Sequence, residues 1–202
     1  MMNLVGNTKE ELMEIVKRRV ESCATCPLHL HRNNVVVGEG SLDTPIIFVG
    51  EGPGEEEDKT GRPFVGRAGQ LLDKILESVG LKRNDVYITN VVKCRPPNNR
   101  TPTSAEQRAC LHFLLAQIEI INPKVIVALG ATALNALLGS NYQITKVRGR
   151  KFEWKAGIII FPMFHPSFLL RNPSKAQGSP KWLTWEDIKE VKRMFDEYKG
   201  KG

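Results

Sequence analysis

Four short apolar runs, separated by stretches with helical spacing, constrain this chain more than any other feature. The runs are Ile46-Ile47-Phe48-Val49, Val86-Tyr87-Ile88-Thr89, Val125-Ile126-Val127-Ala128-Leu129 and residues 158–161. Runs this short, without polar alternation, predict strands buried on both faces. Thr8-Lys9-Glu10-Glu11 has the form of a capping box. It opens a predicted helix toward Cys23, with Leu12, Ile15, Val16 and Val20 at helical spacing. Residues 69–79 place Leu71, Leu72, Ile75, Leu76 and Val79 on one face, with Gly80 as a stop signal. Thr103-Ser104-Ala105-Glu106 is a second capping box, for a helix ending before Pro123. Gly130 leads into a short helix over 131–138, and a last amphipathic helix covers about 185–198.

Alternating strands and helices imply an α/β fold with a parallel sheet covered on both faces. Right-handed crossovers put the loops after the strands on one sheet edge, where ligands of such sheets bind. Glu51, Asn90 and His165 each fall just past a predicted strand. Topology alone therefore brings an acid, an amide and an imidazole to one edge. A chain of 202 residues, 41% apolar, suffices for one domain with a sizeable core. It contains no repeat, low-complexity tract or clear linker.

Lys and Arg outnumber Asp and Glu by 29 to 22, a formal charge of +7. That balance points to a polyanionic partner, nucleic acid first, although a soluble protein can be basic for no such reason. No stretch has the apolar length of a membrane span, and the N-terminus lacks the apolar core of a signal peptide. A cytoplasmic protein with no membrane partner is expected, its thiols reduced. Lys- and Glu-rich helices hint at a thermophile.

Four cysteines in that compartment suggest a metal more than bridges. Cys23 and Cys26 form a close pair followed by Pro27, while Cys94 and Cys110 are distant singles. Thiolates suit iron–sulfur clusters and zinc, and structural zinc more often uses two close pairs. Spacing leaves iron–sulfur, zinc and unrelated buried cysteines open. A metal on this set would pin the loop that carries Asn90, four residues before Cys94, and tether the first helix. No flavin or nicotinamide motif accompanies the cysteines, so a structural role is the economical reading.

Gly50-Glu51-Gly52-Pro53-Gly54-Glu55-Glu56-Glu57-Asp58 follows the first strand. It is no phosphate loop: no Lys-Ser/Thr follows the glycines, and Glu55 stands where a dinucleotide fingerprint needs glycine or alanine. Its glycines let backbone pass close to a ligand, and Glu51 can position water or balance a developing cation. Most of Glu55 to Asp58 is expected to be a solvated acidic run. Phe64, in Gly61-Arg62-Pro63-Phe64-Val65-Gly66-Arg67, either stacks on a flat base or is an ordinary core residue. Asn90 carries a donor and an acceptor suited to a nucleobase edge, or is a turn asparagine. Lys93, Arg95 and Arg100 suit phosphates. His165 can donate to a leaving group, and the side chains Leu169, Leu170 and Arg171 beyond it are expected at the surface, where they can wedge into a base stack.

These segments, with Gly61 to Gly69, Asn90-Val91-Val92-Lys93-Cys94-Arg95-Pro96-Pro97, His165-Pro166-Ser167 and the four cysteines, resemble the family 4 uracil-DNA glycosylases, an iron–sulfur-containing type. The resemblance runs from about Cys23 to Tyr198. It implies a three-layer α/β/α sandwich around a four-stranded parallel sheet, the whole chain being one such domain. It implies a structural [4Fe-4S] cluster on Cys23, Cys26, Cys94 and Cys110, and a uracil pocket of Glu51, Gly52, Pro53, Phe64, Asn90 and His165. Glu51 and His165 would be catalytic, and Leu169, Leu170 and Arg171 would touch DNA. The implied activity hydrolyses the N-glycosidic bond of uracil in single- or double-stranded DNA, as base excision repair of deaminated cytosine. The enzyme is expected as a monomer on the nucleoid of a prokaryote. Docking of a sliding clamp or downstream repair enzymes is left open.

Two departures stand out. Family 1 enzymes carry an aspartate in the first motif where this chain has Gly52, and a thymine-excluding tyrosine where it has Gly54. Glu51 and Glu57 are the respective stand-ins. Two other readings explain part of the same residues: a non-catalytic nucleic-acid module with a four-cysteine metal site, and a related glycosylase of broader base choice.

Overall fold

Apolar strand residues that alternate between two helical layers build a six-stranded sheet in this computed structural model, which describes residues 8–139 and 141–200. In chain order, α1 (Lys9–Glu21) precedes the strands β1 (Glu39–Gly40) and β2 (Ile46–Gly50). Then come α2 (Glu55–Thr60), α3 (Arg67–Glu77) and β3 (Tyr87–Asn90). α4 (Ser104–Ile121), β4 (Val125–Leu129) and α5 (Ala131–Leu138) follow. The remainder is α6 (Ile144–Val147), β5 (Phe152–Glu153), β6 (Ile159–Met163), α7 (Pro166–Arg171) and α8 (Pro180–Lys199).

The spatial order is β1-β3-β2-β4-β6-β5. The inner four strands are parallel, as the apolar runs require, with Gly50 opposite Asn90 and Leu129 opposite Met163. The expected four-stranded parallel sheet is thus extended to six by β1 and β5, antiparallel edges of two residues each. Strands that short carry no readable periodicity.

Ile47, Val49, Tyr87, Ile126, Ala128 and Ile160 face a core shared with α1, α4 and α5. Ile46, Phe48, Ile88, Val125, Val127 and Phe161 face the opposite core, shared with α3 and α8. Both capping boxes form: Thr8 and Thr103 accept from the Glu11 and Glu106 N–H groups, and each glutamate carboxylate accepts from its cap's N–H. α3 begins at Arg67, slightly before the predicted start. α8 begins five residues earlier than predicted, because Ser179 caps it by accepting from the Trp182 N–H.

Three short helices, α2, α6 and α7, were not foreseen. In α2 the acidic run lies on the helix N-terminus, where the backbone dipole favours carboxylates. Only Glu55 and Glu56 are exposed, so the solvated reading fails for the other two acids. The Glu57 carboxylate accepts from the Gly54, Val65 and Gly66 N–H groups, at 3.1, 2.8 and 2.8 Å. Asp58 accepts from the backbone of Asn33 and Asn34.

After β2 the chain moves outward to β3, then returns across β2 to β4. That reversal opens a crevice at the carboxyl ends of the strands. The ladder continues past the strand ends: the Val91 and Val92 N–H groups donate to the Gly50 and Glu51 carbonyls at 2.9 and 3.2 Å. The loops carrying Glu51 and Asn90 are therefore fixed to each other.

Candidate active site and cysteine cage

The crevice is a cavity of about 370 Å³, within the range of small-ligand sites. Glu51, Gly52, Pro53, Phe64, Asn90 and His165 all line it, together with Glu57, Arg100 and Arg171. Side chains separated by more than a hundred residues thus meet in one place, as expected from the strand ends. A larger groove of about 480 Å³ lies between α3 and α8. Its lining is apolar side chains, hydroxyls and lysines, without a carboxylate, amide or imidazole, so the polar convergence and not the volume marks the site.

Asn90 ends β3 and is 1% exposed. Its side-chain oxygen has no hydrogen-bond partner, and among the described buried side chains it alone is unsatisfied. Leaving such an atom dry costs about 1–3 kcal/mol, so a site that keeps one is built for an incoming donor. Gly50 makes the arrangement possible: a Cβ there would meet the Asn90 oxygen at 2.4 Å and the Phe64 ring at 2.5 Å.

Phe64 is a core residue that also reaches the cavity. It is 5% exposed and belongs to the α3 core, yet its ring also lines the cavity. Its φ of +52° is left-handed, an unfavourable state for an aromatic residue. Neighbours impose it. Arg83 donates to the Pro63 and Phe64 carbonyls at 2.5 and 3.0 Å, Glu57 holds the next two N–H groups, and Gly69 lies against the Phe64 carbonyl.

His165 caps α7, its Nδ1 accepting from the Ser167 N–H at 3.1 Å. That bond assigns the remaining ring proton to Nε2. Burial, then the nearby Arg171 charge, pushes its pKa down to about 4, so the ring is neutral at pH 7. The ring lies 5.7 Å from Phe64, centroid to centroid. Glu51 accepts a 2.5 Å hydrogen bond from the Thr132 hydroxyl on α5. A Cβ at position 52 would meet the Val92 side chain at 2.6 Å, so any side chain there would force Val92 to move.

Two expectations are overturned. Leu169 is 1% exposed, on the inner side of α7 toward α3 and α8, so it is core and unavailable to DNA. Helical geometry explains this, since one turn cannot present consecutive leucines to the same side. Leu170 and Arg171 are exposed. Lys93 is fully buried and donates to Thr89, Asn90 and Gln117, so it cannot meet a phosphate. Arg95 and Arg100 lie near the surface, Arg100 forked onto Glu106 at 2.7 and 2.8 Å. The sequence reading also missed Thr132, Ser167 and Arg83 as supports. Thr132 carried a usable signal, a polar residue just past β4, whereas Arg83 carried none.

The four cysteines, drawn from three separate segments, line one further cavity with Val20, His29, Arg32, Lys93 and Phe113. None is in a disulfide. Burial pushes the Cys94 thiol up and the Cys110 thiol up to about 11. Donors nevertheless face both sulfurs: Arg32 reaches Cys94 at 3.1 Å and the Lys93 backbone N–H reaches Cys110 at 3.3 Å. Such donors suit thiolates held against a cationic centre. Among the described residues, no three His, Cys, Asp or Glu side chains converge tightly enough for a single ion. Four cysteines lining one cavity are a soft donor set of the kind that holds an iron–sulfur or zinc centre.

Comparison with known proteins agrees with this geometry. Residues 37–189 match the model of the uracil DNA glycosylase superfamily. A type-4 uracil-DNA glycosylase of Thermotoga maritima is 66% identical over 189 residues, 93% of this chain and 97% of that protein. One from Sulfurisphaera tokodaii is 46% identical, covering 90% of this chain and 84% of the other. A type-5 uracil-DNA glycosylase of Pyrobaculum aerophilum is 33% identical, over 87% and 88% of the two chains. This chain belongs to the uracil DNA glycosylase superfamily and, within it, to the type-4 uracil-DNA glycosylases.

Proposed function

We propose that this chain excises uracil from DNA by hydrolysing the N-glycosidic bond, leaving an abasic site for base excision repair. The observation that carries the reading is the orphaned Asn90 oxygen, buried beside an aromatic ring and a neutral imidazole in one cavity. The Asn90 oxygen accepts from uracil N3–H and its NH₂ donates to O4. Cytosine presents an acceptor and a donor at those positions and mismatches both. Phe64 stacks on the base. Glu57, which fills the space beside Gly54 (a Cβ there would meet its carboxylate at 2.7 Å), closes the side where thymine carries a methyl.

Arg171 and Arg100 at the cavity rim meet the DNA backbone, and Leu170 enters the stack as the nucleotide swings out. Flipping costs a few kcal/mol and is cheapest at a mispair. The C1′–N1 bond breaks with its electron pair leaving on uracil, and His165 Nε2–H donates to the O2 on which that charge collects. Glu51, fixed by Thr132, keeps one carboxylate oxygen free to orient water toward the sugar carbon and to take its proton.

In the same reading Cys23, Cys26, Cys94 and Cys110 hold a [4Fe-4S] cluster. When bound, the cluster supplies iron–thiolate bonds that cross-link the chain beyond α1, the loop after β3, and α4. The test is incubation of pure protein with a single-stranded oligonucleotide containing one uracil, followed by abasic-site cleavage. Cleavage at that position is expected, and an intact strand would end the reading.

A further inference from the structure

The buried Lys93 side chain lies between the two functional cavities, and neither the cysteine cage nor the uracil pocket assigns it a task. It is among the largest side chains with no exposure at all. Its Nζ donates to Gln117 Oε1 at 2.6 Å, Thr89 Oγ1 at 2.7 Å and the Asn90 carbonyl at 2.8 Å. The Thr89 hydroxyl spends its own proton on the Val37 carbonyl at 2.7 Å, so all three partners are acceptors. Three acceptors around one Nζ favour its charged form, while complete burial pushes its pKa down to about 7. Gln117 is itself fixed, donating to the Val37 carbonyl and the Tyr87 hydroxyl at 2.9 and 3.1 Å. At its other end, residue 93 donates its backbone N–H to Cys110 and offers its carbonyl to the Val36 N–H.

We propose that Lys93 is a positioning residue for base recognition: it clamps the Asn90 backbone from beneath, holding the pocket amide in register with uracil and tying that register to the cysteine-bearing loop. The inference rests on the uracil-excision reading. Its physical basis is that nothing on the pocket side holds the Asn90 side chain, whose oxygen is unpartnered. The amide's position is therefore set by the backbone that carries it. The ladder from Gly50 fixes the residue after Asn90, and Lys93 fixes the Asn90 carbonyl.

The test uses the full chain, with Lys93→Met for matched volume without donors, Asn90→Ala, and the pair together. Free uracil is the probe, as a competitive inhibitor of excision. Lys93→Met is expected to keep the iron content and absorption of the wild type and to weaken uracil inhibition about tenfold, the scale of one misplaced buried hydrogen bond. In the Asn90→Ala background it should add nothing further to the loss in kcat/KM, because the group it positions is gone. Lys93→Gln, which keeps a donor, should recover part of the uracil inhibition. Unchanged uracil inhibition in Lys93→Met, or losses that multiply in the double variant, would overturn the proposal. So would failure of both Lys93 variants to fold, which assigns the side chain to stability alone. A wild-type protein that leaves uracil in the oligonucleotide defeats the activity reading instead, so the two failures are distinguishable.

Discussion

Single side chains divide the chemistry of this pocket by environment. Asn90 keeps a buried oxygen without a partner, and His165 keeps a neutral ring with its one proton on Nε2. Replacing His165 with Ala removes the donor to the departing base. The single-turnover rate should fall by about 10²–10³-fold, the usual loss for one oxyanion donor, with little change in KM. A loss under tenfold would remove His165 from the chemistry. The same residue sets a pH expectation. Its pKa falls from 6.5 to about 4, so the unfolded chain binds more protons between those values. Its contribution makes stability rise with pH across that window and level off above it. The neutral ring persists down to about pH 5; below that, a proton on Nδ1 would displace the bond from the Ser167 N–H while leaving the Nε2 donor in place, so any loss of excision owed to His165 should appear only toward pH 4. A rate profile with an inflection near 6.5 would show an unperturbed imidazole.

At the scale of elements, α7 shows how one short helix serves two sides. Leu169 packs inward, while Leu170 and Arg171 face out beside the cavity. Leu169→Ala should therefore destabilise the fold by about 2–5 kcal/mol in a denaturant titration, as core leucines do. Leu170→Ala should change stability by no more than about 0.5 kcal/mol. It should instead slow excision from duplex more than from single strands, where no base stack has to be held open. Reversed outcomes would turn the helix around. The loop before α3 has the same character, since the left-handed Phe64 exists only because its surroundings impose it. Gly69→Ala would drive a methyl into the Phe64 carbonyl, 1.9 Å away, so it should raise KM and lower the melting temperature together.

For the whole molecule, charge and the proposed cluster act globally. The formal +7 and the rim arginines predict that DNA affinity falls steeply between low and moderate salt. A flat response in a binding titration would contradict phosphate contacts. The cysteine cage joins the chain beyond α1, the β3 loop and α4, so with the proposed cluster bound there, a chelator after mild oxidation should bleach a brown protein and lower its melting temperature. A colourless preparation holding zinc would replace the cluster with a different metal. Among the described residues no helix is long and apolar enough to cross a membrane.

Much of this was legible in the residues. Apolar runs too short for helices gave the four inner strands, and both capping boxes marked true helix starts, because these signals are local. The convergence of Glu51, Asn90 and His165 was also legible, because right-handed crossovers leave parallel strands one edge on which to end. What the sequence could not carry is which neighbour each polar group meets. Lys93 reads as a phosphate ligand until the Gln117 and Thr89 acceptors close around it. Leu169 reads as exposed until α3 covers it, and Phe64 reads as core or stacker until Gly50 lets its core-packed ring also line the cavity. Burial and hydrogen-bond partners are set by residues distant in the chain, so only the tertiary structure decided them.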